Sequence, residues 1–158
     1  TMGDRSRIRI MLLQIERDLG GLGLMPPCST YHRFAVGMTG DKMSSSKPES
    51  TIFMDDEIES MERKVKRAIS GGQPTVEEHR RLGGDVSKDV AYQYLQFFFE
   101  NDDTALAEVK SEYESGRMLA GEVKQICIDR ATDWLIELKQ KRDQMEDAVA
   151  EFLAPDAI

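Results

Sequence analysis

The sequence predicts a mainly α-helical protein, and three features point there. Apolar residues recur at helical spacing: Ile8, Leu12, Ile15 and Leu19; then Ile58, Met61, Val65 and Ile69; then Val123, Cys127, Ala131, Trp134 and Leu138. Start and stop signals bracket these runs, with Asp or Thr ahead and Gly behind. Near Met54 a mixed pattern gives way to an all-helical one.

The first helix carries the Ile8–Leu19 stripe and is stopped by Gly20-Gly21. Arg5, Arg7 and Arg9 read as its solvated face. Residues 20–27 form a loop, and 29–36 read as an extended segment. Within it His32 either touches nucleotide or packs beside Tyr31 and Phe34. Residues 52–54 are a short extended apolar piece. Asp55 or Asp56 then caps a helix whose outer face is Glu59, Glu62, Arg63 and Lys66, ending at Gly71-Gly72. Thr75-Val76-Glu77-Glu78 is a capping box, a hydroxyl with a glutamate three residues on, and it opens a short helix ending at Gly83-Gly84. Residues 90–99 are apolar almost all round and predict a buried helix with Phe97, Phe98 and Phe99 in the core. Asp102 or Asp103 caps the next helix and Gly116 ends it. Residues 121–153 read as one long helix, its stripe resumed by Met145, Val149 and Phe152 and its Trp134 in the core.

The net charge is −8, unevenly spread. Residues 1–54 hold 7 Lys/Arg against 5 Asp/Glu, and residues 55–158 hold 14 against 24. An acidic half is an unusual footprint for a nucleic-acid binder, because phosphates attract a basic face. Either any RNA contact is local or the source lives in high salt. The 2 cysteines, Cys28 and Cys127, make no metal-ligand spacing and suit a reducing cytosol. No apolar run reaches membrane-spanning length, and the arginines at 5, 7 and 9 precede no signal-peptide core.

The chemistry concentrates in Lys42-Met43-Ser44-Ser45-Ser46-Lys47, set between Thr39-Gly40-Asp41 and Pro48. Turn residues on both sides and no apolar periodicity predict a loop. Two ammonium groups around three hydroxyls, with backbone N–H groups free to point outward, suit a polyanion such as a triphosphate. Composition alone also fits an ordinary solvated loop. His79, Arg80 and Arg81 are a second cluster, either candidate contacts for an RNA backbone or cations favoured at a helix C-terminus.

Residues 42–46 resemble the lysine-methionine-serine-lysine-serine signature of class I aminoacyl-tRNA synthetases, in a variant with serine in fourth place. The flanks at 29–34 and 48–53 agree. Gly71-Gly72, His79 and Leu82-Gly83-Gly84 within residues 70–84, together with 94–98 and 118–124, resemble the tryptophanyl-tRNA synthetase family of archaeal and eukaryotic type. Its tyrosyl sibling shares the loop but not the Gly-Gly, His, Leu-Gly-Gly stretch. Gly3-Asp4-Arg5-Ser6-Arg7 departs from the family's usual Gln-Asp-Pro run, so no pocket role is carried to Asp4.

The resemblance implies a fold in two parts. Residues 1–54 would be the C-terminal edge of a Rossmann-type α/β catalytic domain, and residues 55–158 an all-helical anticodon-binding domain. It implies the C-terminal part of a tryptophan–tRNA ligase, a cytoplasmic homodimer when whole. The substrate is ATP with its Mg2+, and the partners are tryptophan and tRNA(Trp), with no membrane. Lys42 takes the place of the motif's first lysine and the catalytic role. Lys42, Met43, Ser44, Ser45, Ser46 and Lys47 form the ATP and pyrophosphate site, with no metal ligand among them. Ser45 stands where the second lysine would be, and Lys47 substitutes for it. The family's histidine- and glycine-rich signature precedes this stretch, so the fragment alone is expected to be inactive. Two other readings remain: a non-catalytic helical module that binds tRNA or protein, and a structural adaptor in which the loop is incidental.

Overall fold

In a computed structural model, the backbone is described for residues 2–20 and 35–152, and side chains for 10–20 and 35–145. The chain divides into two compact units, residues 1–34 and 35–158. In the first, α1 spans Met2–Leu19. It ends as predicted at Gly20, whose φ of 59° is the left-handed conformation glycine adopts without strain and whose N–H still bonds Glu16 O at 2.9 Å. Ile10, Met11, Leu13, Ile15 and Leu19 are exposed. Residues 21–27 of the loop expected at 20–27 lie outside the described residues, as do Cys28 and His32.

The second unit is helical: α2 (Ile58–Arg67), α3 (Val76–Leu82), α4 (Val90–Tyr94) running into a π-helical turn (Leu95–Phe99), α5 (Asp103–Glu114) and α6 (Ala120–Phe152). No strand occurs among the described residues; the one β feature is an isolated antiparallel bridge between Val36 and Lys42. The long helix α6 is the spine, and α2, α4, the π turn and α5 all pack on it. Its Val123, Cys127, Ala131 and Leu135 are fully buried against Met61, Val65, Val90, Leu95 and Tyr113. Each such Val, Leu or Met side chain contributes about 1.5–3 kcal/mol by leaving water.

Several helix ends follow the sequence. Thr75 Oγ1 accepts the Glu78 N–H at 3.1 Å, while the Glu78 carboxylate accepts from the Thr75 hydroxyl at 3.2 Å. Asp102 caps α5 through the N–H groups of Thr104 and Ala105. Gly83 closes α3 with φ 74°, and a Cβ there would lie 1.8 Å from Glu114 O, so both conformation and space demand glycine.

Other expectations are corrected. Neither Asp55 nor Asp56 caps α2; Glu57 holds that position without a side-chain bond. Asp56 turns back instead, accepting the Phe53 N–H at 2.9 Å and pairing with the nearly inaccessible Lys64 at 2.5 Å. That charge pair is shielded from water, so it binds residues 53–56 to α2 rather than starting the helix. The helix stops at Arg67, short of Gly71-Gly72, because Ala68 turns extended and the Ile69 N–H goes to Met38 O. Ile69 is accordingly exposed. Residues 90–99 do not continue as an α-helix: the Glu100 N–H reaches Leu95 O, a π-type span. The wider turn brings Phe99 against Trp134, ring centroids 5.9 Å apart, and leaves Phe98 48% exposed. Trp134 is half-buried, and Leu135 beside it takes the core position. Met145 is exposed; the side chains of Val149 and Phe152, and residue 153, lie outside the described residues.

Candidate functional site

The lysine–serine stretch is a loop, as its composition predicts, and its shape comes from short-range bonds. Val36 and Lys42 pair across a tight turn in which the Gly37 N–H donates to Asp41 O at 2.7 Å and the Gly40 N–H to Gly37 O at 2.8 Å. Gly37 cannot be replaced cheaply, because a Cβ there would lie 2.4 Å from Ser50 O. The chain then turns through Ser45 and Ser46, with the Lys47 N–H on Ser44 O at 3.0 Å, into a single 3-10 turn at Pro48–Ser50. Pro48 suits that entry because its φ is preset and no N–H is needed there.

Ser50 is 1% exposed and sits inside this loop. Its hydroxyl donates to Lys47 O at 2.7 Å and accepts the Ser44 N–H at 3.1 Å. Its backbone N–H also goes to Lys47 O, and its carbonyl accepts from Met38 N–H at 2.9 Å. Met38 is buried in the helical core, and Glu49 pairs with Arg63 of α2 at 2.8 Å. The loop is thus anchored to α2 and the core at its base while its tip stands in water.

At that tip Lys42, Ser45, Ser46 and Lys47 are exposed, and Met43 and Ser44 are half-buried. The Ser44 and Ser46 hydroxyl oxygens are 2.9 Å apart. Neither Lys42 nor Lys47 has a carboxylate partner among the described residues. Two uncompensated ammonium groups and two neighbouring hydroxyls form a small anion-attracting surface. Met43 points inward: the Tyr94 hydroxyl donates to its sulfur at 3.2 Å. Burial, and secondarily the nearby Cys127, pushes the Tyr94 phenol up to about 12, so it keeps the proton it donates. Beneath Met43 lies a cavity of about 330 Å³ lined by Ile52, Tyr94, Phe98, Phe99 and Trp134 among others.

The second cluster separates into three situations. The His79 ring is 3% exposed, its Nε2 2.8 Å from Met118 O and its Nδ1 accepting the Gln73 N–H at 3.4 Å. Arg80 is exposed but donates to the carbonyls of Gly116 and Arg117. Arg81 is exposed at the end of α3. Among the described residues no group of three or more His, Cys, Asp or Glu could hold a metal ion, and no helix is long and apolar enough to cross a membrane.

Sequence reasoning missed Ser50 and Tyr94 as parts of this site. Ser50 looks like any other hydroxyl in a serine-rich run, and Tyr94 like one more aromatic in an apolar helix. Both lie in stretches that carry the family resemblance, 48–53 and 94–98, but that resemblance gave neither residue a role.

The chain is similar to known proteins in sequence and in fold. The tryptophan–tRNA ligase of Saccharolobus solfataricus is 42% identical over 143 residues, which are 88% of this chain and 38% of that protein. The Methanocaldococcus jannaschii ligase is 39% identical over 145 residues, 89% of this chain and 39% of that one. The crystal structure of tryptophanyl-tRNA synthetase from Aeropyrum pernix K1 superposes with a TM-score of 0.83 at 33% identity, over 95% of this chain and 41% of that chain. The chain therefore spans about two fifths of the length of the relatives it matches. The family model described as class I tRNA synthetases (W and Y) matches residues 4–135, and the chain belongs to that family.

Proposed function

We propose that this chain is the C-terminal portion of a cytosolic tryptophan–tRNA ligase. The observation that carries the reading is the anchored loop, which holds on a helical base two lysines with no carboxylate partner among the described residues, beside two adjoining hydroxyls. The similarity to tryptophan–tRNA ligases from two archaea supports it. In this reading residues 1–54 are the last edge of the catalytic domain and residues 55–158 the anticodon-binding helices. The exposed apolar residues of α1 suit a helix that belongs to a larger domain.

The reaction joins a tryptophan carboxylate oxygen to the α-phosphorus of ATP. The bond from that phosphorus to the bridging oxygen breaks, and pyrophosphate leaves with the added negative charge. Mg2+ enters with the nucleotide. Lys42 places a full positive charge beside that leaving group, and Lys47 supplies the second charge in place of the family lysine replaced by Ser45. The Ser44–Ser46 hydroxyl pair donates a hydrogen bond to a phosphate oxygen, one of its two protons lying between the two oxygens. Fixed donors of this kind lower such a barrier by about 3–4 kcal/mol each. Met43, held by Tyr94, supports the loop from beneath.

tRNA(Trp) binds the helical part, and the enzyme works as a homodimer. The buried His79 ring serves by fixing the end of α3, and Arg80 and Arg81 lie at the surface there for RNA phosphates. The test is Lys42→Ala in the whole ligase. Pre-steady-state adenylate formation is expected to fall by roughly a hundredfold or more while tryptophan affinity stays unchanged, since the charge acts mainly in the transition state. An unchanged rate would remove Lys42 from the chemistry.

A further inference from the structure

We infer that Ser50 is a positioning residue for the phosphate-binding loop, acting through the backbone of Ser44 and Lys47. This rests on the reading of the loop as the pyrophosphate site. A serine hydroxyl has one proton and accepts through lone pairs. At Ser50 the proton goes to Lys47 O at 2.7 Å, and a lone pair takes the Ser44 N–H at 3.1 Å. The Lys47 N–H in turn donates to Ser44 O at 3.0 Å. These bonds close a ring through Ser44, Lys47 and Ser50 that sets the course of the chain between Lys42 and Lys47.

The ring is not an isolated turn. The Ser50 carbonyl accepts the Met38 N–H, and the Met38 carbonyl accepts the Ile69 N–H beyond α2. Ser50 therefore ties the loop tip, the Val36–Lys42 pairing and the end of α2 together at one buried point. The lysine side chains at the tip have nothing else to orient them among the described residues. Their ammonium groups are placed by the backbone that carries them, which is held at Lys42 by the pairing with Val36 and from Ser44 to Lys47 by Ser50. Deleting the hydroxyl removes the acceptor for the Ser44 N–H and a donor to Lys47 O, yet no charged or substrate-facing group is lost.

The experiment compares Ser50→Ala with Thr51→Ala, which deletes a neighbouring hydroxyl that makes only a 3.4 Å bond to Ile52 O. In the 158-residue chain, amide hydrogen exchange at Ser44 and tryptic cleavage after Lys42 report loop order. In the whole ligase, ATP–pyrophosphate exchange reports function, with Lys42→Ala as a separate arm. The expected result for Ser50→Ala is faster Ser44 exchange and Lys42 cleavage. The kcat for ATP–pyrophosphate exchange should drop roughly tenfold to a hundredfold, with tryptophan KM and thermal midpoint nearly unchanged. Thr51→Ala should match the parent in all of these. A merely structural role would move the midpoint and leave kcat of the folded fraction alone, which overturns the proposal. So does a loosened loop with undiminished kcat, or an unloosened loop. If Lys42→Ala itself has no effect, the reading of the loop as the pyrophosphate site fails, and that arm shows it independently. Should Ser50→Ala fail to fold, Ser50→Cys, with a weaker donor of similar size, is held to the same criteria.

Discussion

Asp89 has no solvent exposure, yet its carboxylate is fully served. Oδ1 accepts the Tyr92 N–H, capping α4, while Oδ2 accepts the Gly71 N–H at 3.1 Å and the Tyr113 hydroxyl at 2.8 Å. Burial first, and then the Asp89 charge, raise the Tyr113 phenol far above its ordinary range. A bond to a buried carboxylate is worth more than a neutral one. Tyr113→Phe should therefore cost about 1.5–3 kcal/mol by urea unfolding, with secondary structure retained. The same shifts give a pH dependence. Tyr94 and Tyr113 hold their protons more tightly folded than unfolded, where the phenol value is 10.0. Their contribution is complete below pH 10 and declines as pH rises through the folded values, since only the unfolded chain then releases protons. Urea midpoints measured between pH 9 and 12 should fall with pH, and fall less steeply in Tyr113→Phe. The Cys127 thiol, pushed up to about 12 chiefly by burial, stays inert in that core.

Elements here are finished by neighbours as much as by their own sequence. The last carbonyls of α2 lack intrahelical partners, as at any helix end. Lys124, near the start of α6, donates to Lys66 O at 2.9 Å and Ala68 O at 2.7 Å. A cation at a helix C-terminus also complements the helix dipole. Partial burial lowers the Lys124 pKa, opposed by the Asp89 charge. Lys124→Met keeps the aliphatic stem and removes the donors, so it should destabilise by about 1–2 kcal/mol. Faster amide exchange confined to the end of α2 would be the accompanying sign, and uniform exchange across the unit would contradict this role. The π-helical turn follows the same logic: Leu95 and Phe99 pack on α6, and the backbone widens to let them.

For the molecule at large, the described residues from 35 on gather around one core, with the loop anchored at its edge. In the proposed reading the loop would supply charge to one end of a triphosphate, and among the described residues it carries nothing that would hold adenosine or align a carboxylate with the α-phosphorus. That alignment is a large share of the rate gain in such a reaction. Exposed lysines alone attract phosphate weakly, and salt screens them. The purified 158-residue chain should therefore show no tryptophan-dependent ATP–pyrophosphate exchange while giving a cooperative helical melt. Exchange near the rate of a whole synthetase would mean that the chemistry sits elsewhere in this chain.

Much of this protein was legible in its sequence because the relevant forces are local. Periodicity located the helices, Thr75 and Asp102 capped them, and Gly20, Gly83 and Gly116 stopped them, each within a turn or two of the residue concerned. The lysine–serine run announced an exposed loop for the same reason. Only the tertiary structure decided what joins residues far apart. Tyr94 meets Met43 across 51 positions, Lys124 reaches Lys66 across 58, and His79 turns inward to Met118 across 39. It also chose Leu135 over Trp134 for the core and put Phe98 in water, because helical spacing marks a face without saying which neighbour will cover it. A polar side chain's role depends on whether a partner arrives before water does, and that is settled by packing, not by spacing.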